Sequence, residues 1–472
     1  MSLFSIKKEQ ILDKIRFENP WWMTRSIDDY YASMRRRLYF SHFFSLVMEK
    51  NVKRAVVLMG PRRVGKTVMI FHAVHQLILQ GVNPKRIFYL SIETPVFNGI
   101  GIETLFNYCK EIVSLNDTSK PFYVFFDEVQ YLKDWEIHLK SLVDSYHNVK
   151  FIVSGSAAAA LKLKSNESGA GRFTDFTLPP LTFHEYIHLK GLKSLIVPKT
   201  KIWNGKEIEV YDTVYIKVLN EHFINYINYG GYPEVSLSKE IQANPGRYIK
   251  SDIVDKVLLR DLPSLYGIQD VQELNSLFTT IAFNSGNEFS YDTLSQTSGV
   301  SKNTIKKYVS YLEAAFLIRV VNRIDIGGKK FKRANFFKIY LTNPSLRSAL
   351  FSPIRETSNV MGNMVETAIY SQWFHRFWQT PYYSRWNNGE VDIVGLSKET
   401  LKPAWAVEIK WSNKFPETPS KLKSLYHFMA RNNLSRAIVT SIDITEEVQF
   451  NDVFFDFIPA ALYCYTIGRR SL

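Results

Sequence analysis

Eight consecutive residues near the amino end of the chain have the types and spacing of a phosphate-binding loop. Residues 60–67 read Gly-Pro-Arg-Arg-Val-Gly-Lys-Thr and fit the pattern G-x-x-x-x-G-K-[ST]. In such a loop the glycines let backbone N–H groups turn toward phosphates. Lys66 would reach the β- and γ-phosphates, and the Thr67 hydroxyl would be a ligand of Mg²⁺. The pattern predicts ATP and Mg²⁺ as cofactors.

The predicted nucleotide contacts continue from this loop into the next element. The residues after Lys66 have the apolar spacing of a helix, whose positive end would point at the anion. The two arginines inside the loop would either strengthen ATP binding or pair with a neighbouring domain. The predicted contacts are Gly60, Pro61, Arg62, Arg63, Val64, Gly65, Lys66, Thr67 and Val68, with Ser154 from further along the chain.

A pair of acids follows a second apolar run. Residues 122–126 read Phe-Tyr-Val-Phe-Phe and are followed by Asp127 and Glu128. An apolar strand that ends in two acids, downstream of a phosphate-binding loop, is the Walker B pattern. Asp127 is predicted to hold Mg²⁺ through its water shell, and Glu128 to orient or deprotonate the attacking water. The two motifs together predict hydrolysis of ATP to ADP and phosphate.

Two later positions could sense or complete the nucleotide site. A predicted buried strand ends at Ser154-Gly155-Ser156, and either serine could contact the γ-phosphate, although a simple strand-end turn is equally compatible. Arg172 is a candidate arginine finger, acting on the nucleotide of its own chain or of a neighbouring subunit. An exposed loop arginine with no such role is an equally good interpretation.

The elements that must position these residues alternate between strand and helix. Predicted strands at 54–59, 86–92, 122–126 and 151–153 are separated by helical patterns. This alternation predicts an α/β fold with a doubly wound parallel sheet. Ligands of such sheets bind at the carboxyl ends of the strands, where the loop, Asp127 and Ser154 all fall.

The residues before the sheet form an aromatic lead-in. Asn19-Pro20 interrupts a helical pattern, and we expect Trp21 and Trp22 to fill a groove on the next domain rather than to stack on a ligand. The triplet Arg35-Arg36-Arg37 is interpreted as a solvated face, and a phosphate contact is the less favoured alternative.

The second half of the chain predicts a helical segment and then a winged helix. Residues 191–270 are interpreted as a helical lid or bridge, and 271–350 as a helix–turn–helix followed by two strands. Basic residues on the second helix and on the turn between the strands favour DNA binding over protein docking. The candidate DNA contacts are Lys302, Asn303, Thr304 and Lys306 near the start of the second helix, and Lys329, Lys330, Lys332 and Arg333 on the turn.

Acids near the carboxyl end have the order expected of a metal-dependent nuclease fold. Glu366 lies on a predicted helix, Asp392 on a strand, and Glu408 and Lys410 share one face of the next strand. Glu366, Asp392 and Glu408 are predicted metal ligands, and Lys410 would polarise a phosphate or position water. A domain of this fold that binds DNA without cutting it is an equally good interpretation.

Composition limits the classes of protein that remain. The 472 residues carry a net charge of +14, which favours a polyanionic partner, nucleic acid first. Two cysteines far apart in sequence exclude a disulfide framework and suit a reducing cytoplasm. The absence of a long apolar run predicts a cytoplasmic protein with no membrane partner.

The motifs together resemble a family of archaeal and bacterial AAA-type P-loop ATPases that carry a DUF4143 carboxyl-terminal region. The residues that carry the resemblance are the loop at 60–67, Asp127-Glu128-Val129-Gln130, Trp135, Ser154-Gly155-Ser156, Gly171-Arg172, Asn19-Pro20-Trp21-Trp22 and Gly230-Gly231-Tyr232-Pro233-Glu234. Beyond residue 345 the chain is similar to the PD-(D/E)XK nuclease fold, although Val391 stands where that pattern has proline. The resemblance implies an ATPase associated with DNA.

The sequence therefore predicts an ATP-controlled DNA-binding switch with a nuclease-like domain. The alternatives are a metal-dependent DNA nuclease gated by ATP, and a nucleotide-dependent scaffold that binds protein partners or forms a homo-oligomer without cleavage. The predicted regions are the lead-in 1–50, the ATPase core 51–190, the lid or bridge 191–270, the winged helix 271–350 and the nuclease-like domain 355–472.

Overall fold

The computed structural model describes residues 7–114, 120–155, 171–203, 205–330, 335–373 and 380–471. The predictions for Ser156, Lys332 and Arg333 lie outside these ranges. The chain divides into two compact units, Met1–Pro179 and Pro180–Leu472, which are described separately below.

A parallel sheet forms the centre of the first unit. Its described strands lie in the order β2-β3-β4-β1-β5, and every neighbouring pair is parallel. The central strands are continuous apolar runs because helices cover both faces of such a sheet. The predicted parallel α/β sheet is confirmed, and β5 is an additional edge strand. The strands are β1 Ala55–Met59, β2 Ile87–Ser91, β3 Phe122–Asp127, β4 Val149–Gly155 and β5 Phe173–Thr177.

The helices of this unit include the one that follows the phosphate-binding loop and those that connect successive strands. Helices also form most of the lead-in. The described α-helices are Lys8–Glu18, Trp21–Thr24, Asp29–Ala32, Phe40–Met48, Lys66–Leu79, Ile102–Val113 and Trp135–Ser145.

The lead-in covers the free edge of β2. The Asn19 side chain exchanges two hydrogen bonds with the backbone of Tyr89, at 2.8 and 2.7 Å. Trp21 and Trp22 are buried and both donate their indole N–H to the Ile87 carbonyl, at 3.0 and 2.9 Å. Side chains thus satisfy backbone groups that an edge strand would otherwise expose. The predicted role of the two tryptophans in filling a groove is confirmed.

A mixed sheet runs through the second unit. Its order among the described residues is β15-β16-β14-β13-β12-β11-β9-β10-β8. Strands β9 and β11 pair in parallel, with Arg323 opposite Tyr383 and Ile324 opposite Ser384, which joins the sheet of residues 288–341 to the carboxyl-terminal sheet. The strands are β8 Glu288–Ser290, β9 Ile318–Ile324, β10 Phe336–Leu341, β11 Tyr382–Trp386, β12 Gly389–Leu396, β13 Pro403–Glu408, β14 Arg436–Ser441, β15 Glu446–Phe450 and β16 Val453–Pro459.

Helices pack on both faces of this sheet. Ile393 and Val394 are neighbours on β12 and belong to separate apolar cores, because successive side chains of a strand point to opposite faces. The described α-helices are Phe183–Lys190, Ile216–Tyr229, Pro233–Leu237, Lys239–Gln242, Leu262–Tyr266, Val271–Phe283, Tyr291–Ser298, Lys302–Ala314, Ser345–Leu350, Met361–Trp373, Lys423–Arg431 and Ala460–Arg470, with π-helical turns at Gly246–Asp255 and Val257–Asp261.

The prediction of a mainly helical segment is wrong over 197–212. Strands β6 (Val197–Trp203) and β7 (Lys206–Asp212) form an antiparallel hairpin there. The sequence signal was present, since β-favouring residues flank Asn204-Gly205, a dipeptide that favours tight hairpin turns. The hairpin contacts the end of its own unit, where Tyr211 packs edge-on against Tyr465 with ring centroids 5.1 Å apart.

In the part of the chain that the structure describes, no helix combines the length and the apolar character needed to cross a membrane.

Candidate functional site

The phosphate-binding loop has the backbone that its glycines permit. It leaves β1 at Met59 and enters the helix Lys66–Leu79 through Gly65, which has a φ of 94°. A Cβ atom at Gly60 would lie 2.1 Å from the Leu178 carbonyl oxygen, so only glycine fits there. The loop is therefore set at the carboxyl edge of the sheet by one close backbone contact and one left-handed residue.

Lys66 lies across this loop. Its side chain is buried at 5% exposure, and its ammonium donates to the carbonyl oxygens of Gly60 and Pro61 at 3.1 and 2.9 Å. These bonds hold the positive charge directly over the turn whose backbone N–H groups bind phosphate in loops of this pattern.

Asp127, at the end of β3, is the centre of the site. Its carboxylate accepts hydrogen bonds from the hydroxyls of Thr67 at 2.7 Å, Tyr89 at 3.0 Å and Ser154. Burial and the nearby Glu128 raise the pKa of Asp127, while the three hydroxyls oppose that shift. Among the described residues no lysine or arginine pairs with Asp127, so neutral donors alone satisfy this buried acid.

Thr67 and Asp127 have the chemistry and placement to hold Mg²⁺. Their oxygen atoms are already within hydrogen-bond distance, and hydroxyl and carboxylate oxygens are ligands that Mg²⁺ accepts. No group of three or more His, Cys, Asp or Glu side chains suited to a metal occurs among the described residues. A P-loop site does not need one, because phosphate oxygens and water supply the remaining ligands.

Glu128 follows at a sharp turn of the backbone. It has a left-handed φ of 56°, and its N–H points to the Ser154 hydroxyl at 3.4 Å. The Gln130 amide donates to a carboxylate oxygen of Glu128. The structure thus brings Glu128, Asp127, Ser154, Thr67 and the loop to one edge of the sheet, where the sequence places them.

Arg37 is a part of the site that the sequence analysis missed. It is 7% exposed and donates to the Val64 carbonyl at 2.7 Å and to the Pro179 carbonyl at 3.0 Å. The interpretation of residues 35–37 as a solvated face is wrong for Arg37, which is buried and holds the backbone of the phosphate-binding loop at Val64. It holds for Arg35, whose side chain is exposed.

The other loop arginines differ from each other in burial. Arg62 is half-buried and donates to the Tyr131 hydroxyl at 3.2 Å, while Arg63 is exposed and has a left-handed φ of 63°. Tyr131 follows the acids on the next turn, so Arg62 links the loop to the segment that carries Glu128.

Arg172 lies at the wrong edge of the sheet for a finger within its own chain. Its carbonyl accepts from the N–H of Ala55 at the start of β1, whereas the phosphate-binding loop follows the end of that strand. Its guanidinium pairs with Asp144 at 2.8 Å. The prediction of a role on the chain's own nucleotide is therefore corrected, and action on a neighbouring subunit stays a prediction.

A second cluster of charged residues lies in the second unit. It brings together the four residues predicted for the nuclease-like domain. Glu366 lies on the helix Met361–Trp373, Asp392 on β12 and Glu408 at the end of β13. Lys410 lies just beyond that strand and not on it, which corrects its predicted position. Lys410 pairs with Glu408 at 2.7 Å, and Asp392 accepts from the N–H of Ile409 at 2.8 Å. Burial and Asp392 raise the pKa of Glu408 to about 7, with Lys410 opposing the shift.

Lys338 is an unpredicted member of this cluster. Its ammonium lies 2.9 Å from a Glu366 oxygen, 2.5 Å from a Glu390 oxygen and 4.0 Å from an Asp392 oxygen. Burial lowers the pKa of Lys338, but the three carboxylates outweigh it and hold that pKa well above its ordinary value. Because Glu366 is paired with a lysine, the predicted metal ligands do not fit a divalent ion in this arrangement.

The segment predicted to recognise DNA has several exposed cations. Lys302, Lys306 and Lys307 are exposed on the helix Lys302–Ala314. Lys302 pairs with Asp292 on the preceding helix at 2.6 Å. Lys329 and Lys330 are exposed on the turn after β9, which packs closely on the carboxyl-terminal strands through Gly328 and Pro403.

Comparison with known families assigns two parts of the chain. Residues 52–187 match the model of the AAA domain, and residues 220–357 match a domain of unknown function, DUF8612. The second match corrects the expected DUF4143 region.

Relatives along most of the chain are themselves uncharacterized proteins. One from Haemophilus influenzae is 23% identical over 84% of this chain and 91% of its own length. MJ1544 from Methanocaldococcus jannaschii is 24% identical over 82% of each chain.

Solved structures are similar at lower identity. The Walker-type ATPase PABY2304 of Pyrococcus abyssi is 13% identical, with a TM-score of 0.40 over 66% of this chain and 94% of that one. The ORC2 protein of Aeropyrum pernix, in complexes with ADPNP and ADP, is 13% identical, with a TM-score of 0.38 over 67% and 93%. The range that matches the AAA domain, residues 52–187, also contains the phosphate-binding loop and the Thr67–Asp127 contact.

Proposed function

We propose that the chain is a Mg²⁺-dependent ATPase whose nucleotide state controls DNA binding by the second unit. The observation that carries the proposal is the meeting of Thr67 with the buried Asp127 at 2.7 Å, beside Lys66 in its loop. These groups match the parts that bind and activate a γ-phosphate in P-loop enzymes.

The chain's own residues would act in a fixed order. Loop N–H groups and Lys66 would bind the phosphates, and Thr67 and Asp127 would hold Mg²⁺, which neutralises charge on the β- and γ-phosphates. Glu128 would orient a water in line with the γ-phosphoryl group and accept its proton, with ADP as the leaving group. Ser154 contacts both acids and would report whether the γ-phosphate is present.

We infer a winged helix in residues 271–341. The helix Val271–Phe283, β8, the helices Tyr291–Ser298 and Lys302–Ala314, and then β9 and β10 follow in that order, with β10 between its two partners. Exposed lysines on the last of these helices and a net charge of +14 favour DNA phosphates as the partner.

The ATPase assignment is tested by Lys66→Ala. We expect ATP hydrolysis to fall at least about hundredfold, because the cation on the transferred phosphate is lost. Lys53→Ala is the matched control, since Lys53 is an exposed lysine of the same unit outside the loop. Turnover by Lys66→Ala equal to that of the unchanged protein would refute the assignment.

The DNA assignment needs a separate measurement. Fluorescence anisotropy with labelled duplex DNA should show different affinities with ADP and with a non-hydrolysable ATP analogue. Replacement of Lys306 and Lys307 by alanine should weaken binding and reduce the salt dependence, by about one unit of log–log slope for each phosphate that a lysine no longer neutralises. No binding even at low salt would favour the protein-docking scaffold instead.

DNA cleavage is the remaining alternative for the second unit. Glu366, Asp392, Glu408 and Lys410 do come together, as a nuclease-like domain requires. The pairing of Glu366 with Lys338 weighs against a divalent ion there and hence against cleavage. Mn²⁺-dependent nicking that disappears in Lys410→Ala would favour the nuclease.

A further inference from the structure

We propose that Lys338 is the resident cation of the acidic cluster in the second unit, and that this cluster is a latent divalent-metal site which opens only when Lys338 leaves it. The inference concerns the second unit alone and does not depend on the ATPase activity proposed above.

The first support is the position of the lysine side chain. Lys338 is 5% exposed, and its ammonium is within 4.0 Å of Glu366, Glu390 and Asp392. An ammonium has N–H donors and no acceptor, so a site surrounded by three carboxylates suits it. A divalent ion bound by the same oxygens would place a second positive charge beside the first.

A second residue of β10, Tyr340, also forms a hydrogen bond with Glu366. Tyr340 lies two residues further along β10, on the same face, and its hydroxyl donates to the same Glu366 oxygen at 2.5 Å. Tyr340 stacks on Tyr370 with ring centroids 4.0 Å apart, and Tyr370 donates to the Asp392 carbonyl at 2.5 Å. Lys338 and Tyr340 of β10, with Tyr370 stacked on Tyr340, therefore cover one side of the cluster.

The charges of the surrounding network nearly balance without any added ion. Five acids and four bases of this region form ion pairs, with Glu408 and Lys410 as a separate pair beside the others. The acids are Glu288, Glu366, Glu390, Asp392 and Glu408, and the bases are Lys338, Lys410, Arg323 and Arg385. Removing Lys338 would leave two uncompensated negative charges in place of one, which favours cation uptake.

A buried carboxylate oxygen of Glu408 could be a ligand of such a cation. Glu408 is 8% exposed, and its second carboxylate oxygen has no hydrogen-bond partner among the described residues. Native proteins rarely leave a buried acceptor unsatisfied. Its neighbour Asp392 uses one oxygen on the Ile409 N–H and directs the other toward Lys338 at 4.0 Å. Loss of Lys338 would free Asp392 and Glu366 to join Glu408 as oxygen ligands.

The cation and the acids come from different parts of the unit. Lys338 belongs to the segment that we infer to be a winged helix, whereas all of the acids that it contacts lie beyond residue 360. The pairing of β10 with β8 and β9 therefore fixes Lys338 among acids that come from a later part of the chain.

The test is Mn²⁺ binding to the full chain without nucleotide, measured by the electron paramagnetic resonance signal of free Mn²⁺. All proteins carry Asp127→Asn, which removes the P-loop acid. We expect no binding that depends on Asp392 when Lys338 is present. Lys338→Met should bind one Mn²⁺ at least tenfold more tightly, and adding Asp392→Asn should abolish that site. Lys329→Met is the control, since Lys329 is exposed and makes no ion pair with the cluster's acids in the described residues.

A thermal measurement covers the case in which Lys338→Met is poorly folded. We expect its melting temperature to fall and Mn²⁺ to restore part of the loss, an effect that Lys329→Met should not show. Binding of Mn²⁺ that depends on Asp392 in the presence of Lys338 would overturn the proposal, as would a Lys338→Met protein that Mn²⁺ neither binds nor stabilises. Loss of ATP hydrolysis in Lys66→Ala has no bearing on any of these outcomes.

Discussion

Each unit has a cluster of acids that includes a buried carboxylate, and the two units satisfy these acids in different ways. Asp127 in the first unit is held by hydroxyls of Thr67, Tyr89 and Ser154, all of them neutral. In the second unit Glu366 and Glu408 are paired with Lys338 and Lys410. The first arrangement keeps its negative charge available for an external cation, whereas the second carries its cations in the chain.

Whether a buried acid has neutral or charged partners indicates what chemistry the site can perform. A buried carboxylate without a charged partner is costly, so a site of that kind is expected where a metal or substrate supplies the charge. A buried ion pair removes that need but depends on both partners. Four experiments test this contrast and the contacts around the two sites, in order of decreasing expected effect.

Loss of Lys338 should destabilise the protein more than loss of Thr67. Lys338→Met leaves Glu366 without its cation and Glu390 with Arg385 alone, and we expect the free energy of unfolding to fall by about 3–5 kcal/mol. Thr67→Ala removes one of three hydroxyls on Asp127 and should cost about 1 kcal/mol. Urea unfolding followed by circular dichroism measures both, and equal losses would remove the distinction between the clusters.

Glu128→Gln should separate ATP binding from hydrolysis. The substitution removes the carboxylate that would orient water, so we expect turnover to fall at least about hundredfold while ATP still binds. Binding of a fluorescent ATP analogue and release of phosphate measure the two properties. Glu390→Gln is the matched control in the other cluster, and a similar loss of turnover there would contradict the division of roles.

Arg37→Met should weaken the phosphate-binding loop although Arg37 has no predicted contact with nucleotide. It removes both hydrogen bonds from a buried guanidinium to backbone carbonyls, and we expect a loss of roughly 3 kcal/mol in stability, since hydrogen bonds to charged groups are the stronger ones. ATP affinity should fall as well. Arg35→Met is the control because Arg35 is exposed, and it should change neither stability nor affinity.

His184 in the second unit is a buried titratable group, and among the described residues no acid is a cause of its pKa shift. Burial first, and then the nearby Arg469, lower the pKa of His184 to about 3. The neutral His184 side chain therefore causes no loss of stability above the pKa of a histidine in the unfolded chain, about 6.5. The free energy of unfolding falls as the pH decreases from there toward 3, because the unfolded chain binds the proton first. By pH 5 the loss should be about 2 kcal/mol.

The substitution His184→Gln should remove this part of the acid sensitivity. Melting temperatures between pH 5 and 8 measure the effect, and His147→Gln is the control because that side chain is exposed. A variant with the same pH dependence as the unchanged protein would show that His184 is not the group responsible.

The sequence predicted the first unit well because its signals are local. The phosphate-binding loop and the acids after β3 are each encoded by consecutive residues, and a parallel sheet brings strand ends to one edge. Tyr89 and Arg37 were missed because their partners, Asp127 and Val64, are close only after the chain folds.

The second unit shows where this reasoning stops. The order of Glu366, Asp392, Glu408 and Lys410 along the sequence predicted a charged cluster. Lys338 lies in a predicted strand, and no sequence pattern linked it to those acids. Its role depends on β9 pairing with β11, a contact between distant segments that fuses two sheets into one. The hairpin at 197–212 is a different kind of error, since its turn signal was present and was outweighed by the helical patterns around it.

The central claim is that the first cluster takes its cation from outside and the second carries its own. The most direct measurement is the number of Mn²⁺ ions bound tightly per chain in the unchanged protein, with and without a non-hydrolysable ATP analogue. We predict one ion with the analogue and none without it. An ion that binds without nucleotide and is lost in Asp392→Asn, or the absence of any ion when the analogue is bound, would contradict the account.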